Sequence, residues 1–388
     1  MFNRLKNWLN PKPERRTLEG DILGITRAPT RSGVTVTEAT ALGISALRCG
    51  VQVITEAVGS LPLILYRKDD TGNRSRAVDH PLYSILHDEP NPDMTAPVFR
   101  EAMMFSAILH GNAYAEIVRD NSGQPLELVP IDAGRVEGKY SSTGRLQYHV
   151  DGGTDPLNAE DVIHVPGLQS GSGVGLSLLS LARETLGYSI AASQFGASWF
   201  GNAARPSGVL ETAGQLSDPA RANLAKSWAT LHSGPDNAGK VAILEEGLKF
   251  QPFGSTNEQS QYTEVLTFLV GEVARLLNIS PAKLHELQGT SQYGTLEAIQ
   301  ADFYATTLRP WLVKFESEYN RKLLFRHERG QLYCEHLVDA ILRADQSTRF
   351  ANYATAIQAG FMTVAEVRER ENMPPMEDNG STPTQLAV

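Results

Sequence analysis

Residues 261–278, QYTEVLTFLVGEVARLLN, and residues 294–326, GTLEAIQADFYATTLRPWLVKFESEYNRKLLFR, are the two stretches around which the rest of the chain is organised. In the first, Tyr262, Val265, Leu266, Leu269, Val273, Leu276 and Leu277 recur at helical spacing. Thr263, Glu264, Thr267, Gly271, Glu272 and Arg275 fill the other face, so the period predicts an amphipathic helix. The second stretch carries Leu296, Ile299, Phe303, Leu308, Trp311, Phe315, Tyr319 and Leu323 at the same period. Pro310 falls in its middle, where a missing N–H and a crowded preceding turn predict a kink. Between the two helices, Ser280-Pro281 opens a short turn. Leu287-Gln288-Gly289-Thr290-Ser291-Gln292-Tyr293-Gly294 follows, polar and uncharged. Two helices presenting a soft polar loop suit contact with a partner better than catalysis.

Size and charge narrow the class. A chain of 388 residues has room for two or three domains, and 41% hydrophobic with 20% charged residues describes an ordinary globular protein. The 35 basic and 44 acidic side chains give a net charge of −9. That argues against a surface that grips nucleic acid, because such surfaces neutralise phosphates with Lys and Arg. It leaves open a surface past which nucleic acid slides. Cys49 and Cys334 have no metal-type neighbours, which points to a reducing compartment. No apolar run approaches the roughly eighteen residues of a membrane span, so no membrane association is expected. The first residues lack the apolar core of a secretion signal.

Outward from the central pair, residues 1–34 are basic and rich in turn formers, an expected flexible arm. Thr37 is placed to cap a helix running to Gly59, followed by a strand from Leu61 to Arg67 and a turn at Asp69–Gly72. Short helices are expected from His80 to Leu86 and from Thr95 to Gly111. Strands are expected over Ala113–Arg119, Leu126–Ile131, Arg135–Tyr140, Arg145–Val150 and Asp161–Val165, with the first three gaps between them suiting antiparallel hairpins. This part reads as a mixed α+β unit. A long helix over Ser177–Asn202 precedes a strand at Gly208–Glu211, a helix from Ser217 to His232, and a strand at Lys240–Leu244 with a continuation toward Phe253. A small strand-helix-strand head is thus bracketed by two long helices, a head carried on a two-helix stalk. The C-terminal part reads as helical, with one helix over His336–Gln358 and a last one capped by Thr363 and Glu366.

No constellation for catalysis emerges. Gly234-Pro-Asp-Asn-Ala-Gly239-Lys240 matches a phosphate-binding loop except that Val241 replaces its Ser or Thr, and it leaves a helix for a strand rather than the reverse. Gly171-Ser-Gly173-Val-Gly175 has a dinucleotide-loop order but the wrong glycine spacing, and reads better as a strand-to-helix joint. The histidines His110, His164, His232, His285, His327 and His336 show no metal spacing, and Glu245-Glu246 point to opposite faces of a strand. No cofactor and no enzymatic activity are expected.

A set of short motifs does stand out. Ile85-Leu-His-Asp-Glu-Pro90-Asn91-Pro92, Phe99 and His110-Gly111-Asn112-Ala113-Tyr114 come first. Asp161-Val-Ile-His164, Gly175-Leu-Ser177, Phe200-Gly201-Asn202 and Pro206-Ser-Gly208-Val-Leu210 follow. Asn237-Ala-Gly239-Lys240, Leu244-Glu-Glu-Gly247, Leu277-Asn-Ile-Ser-Pro281, Ala359-Gly360-Phe-Met-Thr363, Glu366-Val-Arg368 and Asn372-Met-Pro374-Pro375 complete it. In this order the motifs resemble the tailed-bacteriophage portal (head-to-tail connector) family, in the branch of long-tailed phages, prophages and gene transfer agents.

The resemblance implies an α+β portal fold. In it residues 35–176 would be the wing, 177–202 and 257–279 the stem helices, and 203–256 the clip. Residues 280–326 would hold the tunnel loop and the kinked helix, 327–376 a helical crown, and 377–388 a disordered tail. It also implies a cyclic homo-oligomer, usually dodecameric, at one capsid vertex in the virion, assembled in the host cytoplasm. Double-stranded DNA would pass through its channel. The terminase large subunit, the head-tail adaptor and the major capsid protein would be partners. On that reading Leu287, Gln288, Gly289, Thr290, Ser291, Gln292 and Tyr293 form the tunnel loop, and Glu264, Glu272 and Arg275 are candidates for the stem lumen. Asp236, Asn237, Lys240, Glu245 and Glu246 are candidates for clip docking, and Pro310 marks the bend of the long helix. The competing readings are a nucleotide-using enzyme built on the two imperfect glycine loops, and a capsid or adaptor protein that encloses no DNA-sized hole.

Overall fold

In a computed structural model of the chain the residues described are 29–69, 71–169, 171, 173–201, 208–212, 217–232, 249–252, 257–286, 296–338, 346–371 and 373–374. The N-terminal part holds helices Glu38–Leu42 (α1) and Ser45–Ser60 (α2), strands Leu63–Lys68 (β1) and Arg74–Arg76 (β2), and helices Pro81–His87 (α3) and Ala96–Leu109 (α4). Strands Asn112–Arg119 (β3), Pro125–Ile131 (β4), Val136–Tyr140 (β5), Leu146–Val150 (β6), Leu157–Asn158 (β7) and Val162–Pro166 (β8) come next. After Leu178–Leu181 (α5) and Arg183–Gly201 (α6) come Gly208–Glu211 (β9), Asp218–His232 (α7), Lys249–Pro252 (β10) and the helix Asn257–Leu277 (α8). The C-terminal part has Leu296–Asp302 (α9), Arg309–Lys322 (α10), Leu332–His336 (β11), Gln346–Gln358 (α11) and Val364–Arg370 (α12).

Local chemistry accounts for most of these boundaries. Thr37 and Thr40 cap α1 reciprocally, Thr40 N donating to Thr37 Oγ1 (3.2 Å) and Thr37 N to Thr40 Oγ1 (2.8 Å). The single helix expected from Thr37 to Gly59 is broken after Leu42, because Ile44 takes extended backbone (φ −74°, ψ 110°). At the other end of the chain, Thr363 and Glu366 cap α12: Thr363 N donates to Glu366 Oε2 (2.7 Å) and Glu366 N to Thr363 Oγ1 (3.2 Å). The hairpin expected across Asp132-Ala-Gly134 does not form. Asp132 Oδ1 accepts from Gly134 N (2.8 Å), and a 3-10 turn carries the chain from the β4-β3-β8 sheet to a separate β5-β6-β7 sheet. In the small head β9 pairs antiparallel with β10, and the expected strand at Lys240–Leu244 lies outside the described residues.

The largest departure from expectation is at the C-terminal side. His336 does not open a helix; it ends β11, which pairs antiparallel with β1 from Leu63↔His336 to Arg67↔Leu332. Leu332, Cys334 and His336 point inward at the strand period of two. β1 buries Leu63, Ile64, Leu65 and Tyr66 in succession, as a strand covered on both faces does. The free edge of β11 is closed by α10 side chains rather than by another strand. Asn320 Oδ1 accepts from Cys334 N (2.7 Å), Asn320 Nδ2 donates to Cys334 O (3.3 Å), and Glu316 Oε1 accepts from His336 N (2.9 Å). Helix α10 therefore belongs to the N-terminal unit, and Phe315, Tyr319 and Leu312 share one core with Leu65, Met103 and Ile163.

Several motifs distant in sequence meet at one buried node. Gly111 has φ +72°, and a Cβ there would lie 2.1 Å from Leu176 O. The adjacent Asn112 side chain binds both backbone groups of Gly175, its Oδ1 accepting from Gly175 N (2.7 Å) and its Nδ2 donating to Gly175 O (2.8 Å). The Gly175 N–H that a phosphate cradle would present is thus engaged within the protein. Ser177 Oγ donates to Leu109 O (2.9 Å). His164 sits beneath, with Nε2 2.9 Å from Asn112 Oδ1 and Nδ1 3.0 Å from the Tyr148 hydroxyl. Because Asn112 Oδ1 can only accept, Nε2 carries the proton and Nδ1 accepts from Tyr148.

Burial, with Lys322 and Arg321 nearby, pulls the His164 imidazole down to about 3 from its ordinary 6.5. The folded state therefore resists protonation that the unfolded chain accepts. The stabilisation is complete above about pH 6.5 and declines as pH falls toward 3, by up to about 1.4 kcal/mol per pH unit. Urea titrations over that window should show a shallower fall for His164→Asn than for the wild type. Equal slopes would mean that protons reach His164 without unfolding.

Candidate functional site

The end of α8 is built to meet the kinked helix. Asn278 takes the left-handed conformation (φ +53°) just past the last helical residue. Asn278 N donates to Arg275 O (3.2 Å) and Ile279 N to Ala274 O (3.0 Å), the paired bonds of a Schellman cap with Asn in the place glycine usually holds. Its side chain then reaches across to the second helix. In an unbroken α-helix Pro310 N would donate to Thr306 O, but proline has no N–H. Asn278 Nδ2 donates to that carbonyl instead (3.0 Å), while Thr307 Oγ1 donates to Asn278 O (2.5 Å).

The interruption caused by Pro310 is spread over the turn before it. Phe303–Leu308 is π-helical, with Arg309 N donating to Tyr304 O, and α10 restarts with Pro310 in its first turn. A cleft of about 370 Å³ opens at this junction, walled by Gly271, Arg275, Asn278, Asp302 and Thr306. The connection between the helices passes through a 3-10 turn at Pro281–Leu284, which ends on His285 in the left-handed conformation (φ +60°).

The stem candidates fall on one side of α8. Glu264, Glu272 and Arg275 lie within about 80° of one another around the axis at 100° per residue. Glu264 and Arg275 are exposed, and Arg275 is ion-paired with Glu272. The opposite face buries Leu269, Val273 and Leu277. That face packs closely on α2, where a Cβ at Gly50 would come within 2.3 Å of Leu277 Cδ1. Higher up, α8 meets α6 through Tyr262, whose hydroxyl donates to Ala192 O (3.2 Å). Gly196 makes room for it, since a Cβ there would sit 1.9 Å from that hydroxyl.

The tunnel-loop candidates Leu287–Tyr293 and the clip candidates Asp236, Asn237, Lys240, Glu245 and Glu246 lie outside the described residues, as does the Gly234–Lys240 loop. The junction that precedes residues 287–293 is described, and its central residue, Asn278, was not singled out by sequence. Only the position of Asn before Ile-Ser-Pro hinted at it. Among the described residues no group of three or more His, Cys, Asp or Glu side chains is placed to hold a metal ion. No described helix is long and apolar enough to cross a membrane.

The chain's fold is similar to that of a chain in the neck of a native gene transfer agent particle computed with C12 symmetry. The TM-score is 0.59 at 23% identity, and the match covers 93% of this chain and 100% of that chain. The mixed α+β architecture is thus a portal fold. The family model described as "Phage portal protein" matches residues 45–372, and the chain belongs to the phage portal protein family. It is 30% identical over 364 residues to the probable portal protein of Streptomyces phage phiC31, covering 90% of this chain and 79% of that one. It is 28% identical over 333 residues to the portal protein of Enterobacteria phage HK97, covering 85% and 78%.

The junction makes a graded prediction. Asn278→Ala loses the side-chain bond and the tolerance for left-handed backbone, and should cost about 1–3 kcal/mol in chemical denaturation. Asn278→Gly keeps the backbone freedom and should cost less, leaving only the bond to Thr306 O unmade. Equal losses in the two variants would show that the bond carries the whole effect.

Proposed function

We propose that the chain is the subunit of a closed ring at one capsid vertex of a phage or gene transfer agent particle, and that double-stranded DNA enters and leaves through its axial channel. The ring number of twelve is taken from the symmetry of the similar neck. In this reading residues 35–176 form the wing, joined by α10 and β11; α6 and α8 are the stem; and residues 203–256 are the clip. The clip would dock the terminase motor during packaging and the head-tail adaptor afterwards, and the wing would face the major capsid protein. The subunit itself would perform no catalysis, leaving ATP hydrolysis to the motor.

The observation that carries the reading is the exposed surface of the paired helices α6 and α8. Tyr188 and Phe195 on α6 are 46% and 55% exposed, and Phe268 on α8 is 56% exposed. Large aromatic side chains left open on adjoining helices suit a heterologous contact that repeats around a ring and buries them. A net-acidic wall and an uncharged loop in the expected lumen support a passage rather than a grip, because phosphate capture scales with Lys and Arg contacts.

Negative-stain electron microscopy with mass photometry tests this directly. Closed rings with a hole wide enough for duplex DNA are expected. A monomer at every concentration, combined with nucleotide binding abolished by Lys240→Ala, would favour the enzyme instead. Rings without a DNA-sized hole would favour another capsid or adaptor role. Gln288→Lys or Gln292→Lys should leave rings intact and impair packaging, whereas unchanged particle titres would remove the loop from the channel.

A further inference from the structure

Two clefts meet at the C-terminal end of α10. One, of about 570 Å³, is rimmed by Arg119, Arg145, Arg321, Lys322, Arg326 and Arg329. The other, of about 430 Å³, shares Arg321, Leu324 and Arg329 with it and extends the groove to Lys68 and Tyr333. Seven cations therefore line the two adjoining clefts, and Glu160 is the single carboxylate among the lining residues. On a chain of net charge −9 this is a local reversal of sign. Leu323, Leu324 and Leu332 lie beneath and are almost wholly buried, and half-buried Ala159, Phe325 and Tyr333 supply the accessible apolar surface.

Four of the seven cations have structural work. Arg119 Nη2 donates to Lys322 O (2.9 Å), and Arg329 donates to Leu324 O (3.1 Å) and Arg321 O (2.5 Å), so both satisfy carbonyls at the helix end. Arg321 and Lys322 share one carboxylate, that of Glu318, at 2.6 and 3.7 Å. The other three are spread along the groove and loosely held. Arg145 stands 3.7 Å from Glu160 with both side chains largely exposed. Lys68 Nζ lies 4.7 Å above the Tyr333 ring. Arg326 is exposed and makes no hydrogen bond or ion pair among the described residues.

A groove of this size does not admit duplex nucleic acid, and its apolar side chains offer phosphates nothing. It fits an extended peptide, in which alternate side chains point to opposite faces. Apolar residues would then meet Phe325 and Tyr333 while carboxylates meet the guanidinium rim, where bidentate pairing adds direction to charge. We propose that this groove is a docking site for a segment of another protein in which carboxylates alternate with apolar side chains.

A short fluorescein-labelled peptide of alternating glutamate and leucine, titrated against the full-length chain by fluorescence anisotropy, provides the test. Binding should weaken at least about tenfold when glutamine replaces glutamate in the peptide, and similarly when serine replaces leucine. The double variant Arg145→Glu/Arg326→Glu should lose binding to the same extent, because neither side chain caps the helix; an unchanged thermal midpoint checks that it folds. No binding by the wild type, or binding undiminished in the double variant, would overturn the assignment. Displacement of the peptide by a duplex oligonucleotide that depends on the same two arginines would give the groove to nucleic acid instead.

Discussion

A backbone nitrogen that cannot donate sets the geometry of the central helices. Pro310 leaves Thr306 O without its α-helical partner, and the chain supplies Asn278 Nδ2 from the end of a different helix. The same asparagine accepts from Thr307 through its own carbonyl, so the two helices are locked at one residue in both directions. Because α10 continues from this point into the core of the N-terminal unit, the register fixed at Asn278 is transmitted to Phe315 and Tyr319 between β8 and β11.

Several of the described residues by which the chain resembles its family are fasteners. Gly111 supplies a left-handed turn under close backbone contact, Asn112 clasps Gly175, and His164 supports Asn112 from beneath. Asn91, buried in the Pro90-Asn91-Pro92 motif, donates to Leu128 O (2.7 Å), while Leu128 N donates to Pro90 O (2.8 Å), so this loop joins β4 almost as a strand would. Each of these roles needs a particular backbone angle or a side-chain amide, and that need explains why short motifs, not long blocks, carry the likeness.

The amphipathic α8, the capped α12 and the β5-β6 hairpin were legible because their determinants are local: a period, a cap, a turn. Strand β11 was not. Its inward side chains, Leu332, Cys334 and His336, are few, and the strand it pairs with, β1, lies more than two hundred residues earlier in the sequence. The break after α1 and the 3-10 turn at Ala133–Arg135 depend on backbone angles that composition does not encode. At the candidate site the proline was visible and its partner was not, because the bond from Asn278 to Thr306 spans a connection whose path a one-dimensional pattern cannot give.

The pairing of β1 with β11 has a consequence for how the molecule is made. A ribosome releases β1 early, yet the strand that completes its sheet emerges only after α6, α7, α8 and α10 have all been synthesised. Until then β1, apolar on both faces, has an open edge in the nascent chain. Closing that sheet is a contact of long sequence separation and must await nearly the whole polypeptide. The completed β11-β1 sheet thus acts as a checkpoint on chain length: a subunit truncated before Leu332 could not finish its N-terminal unit.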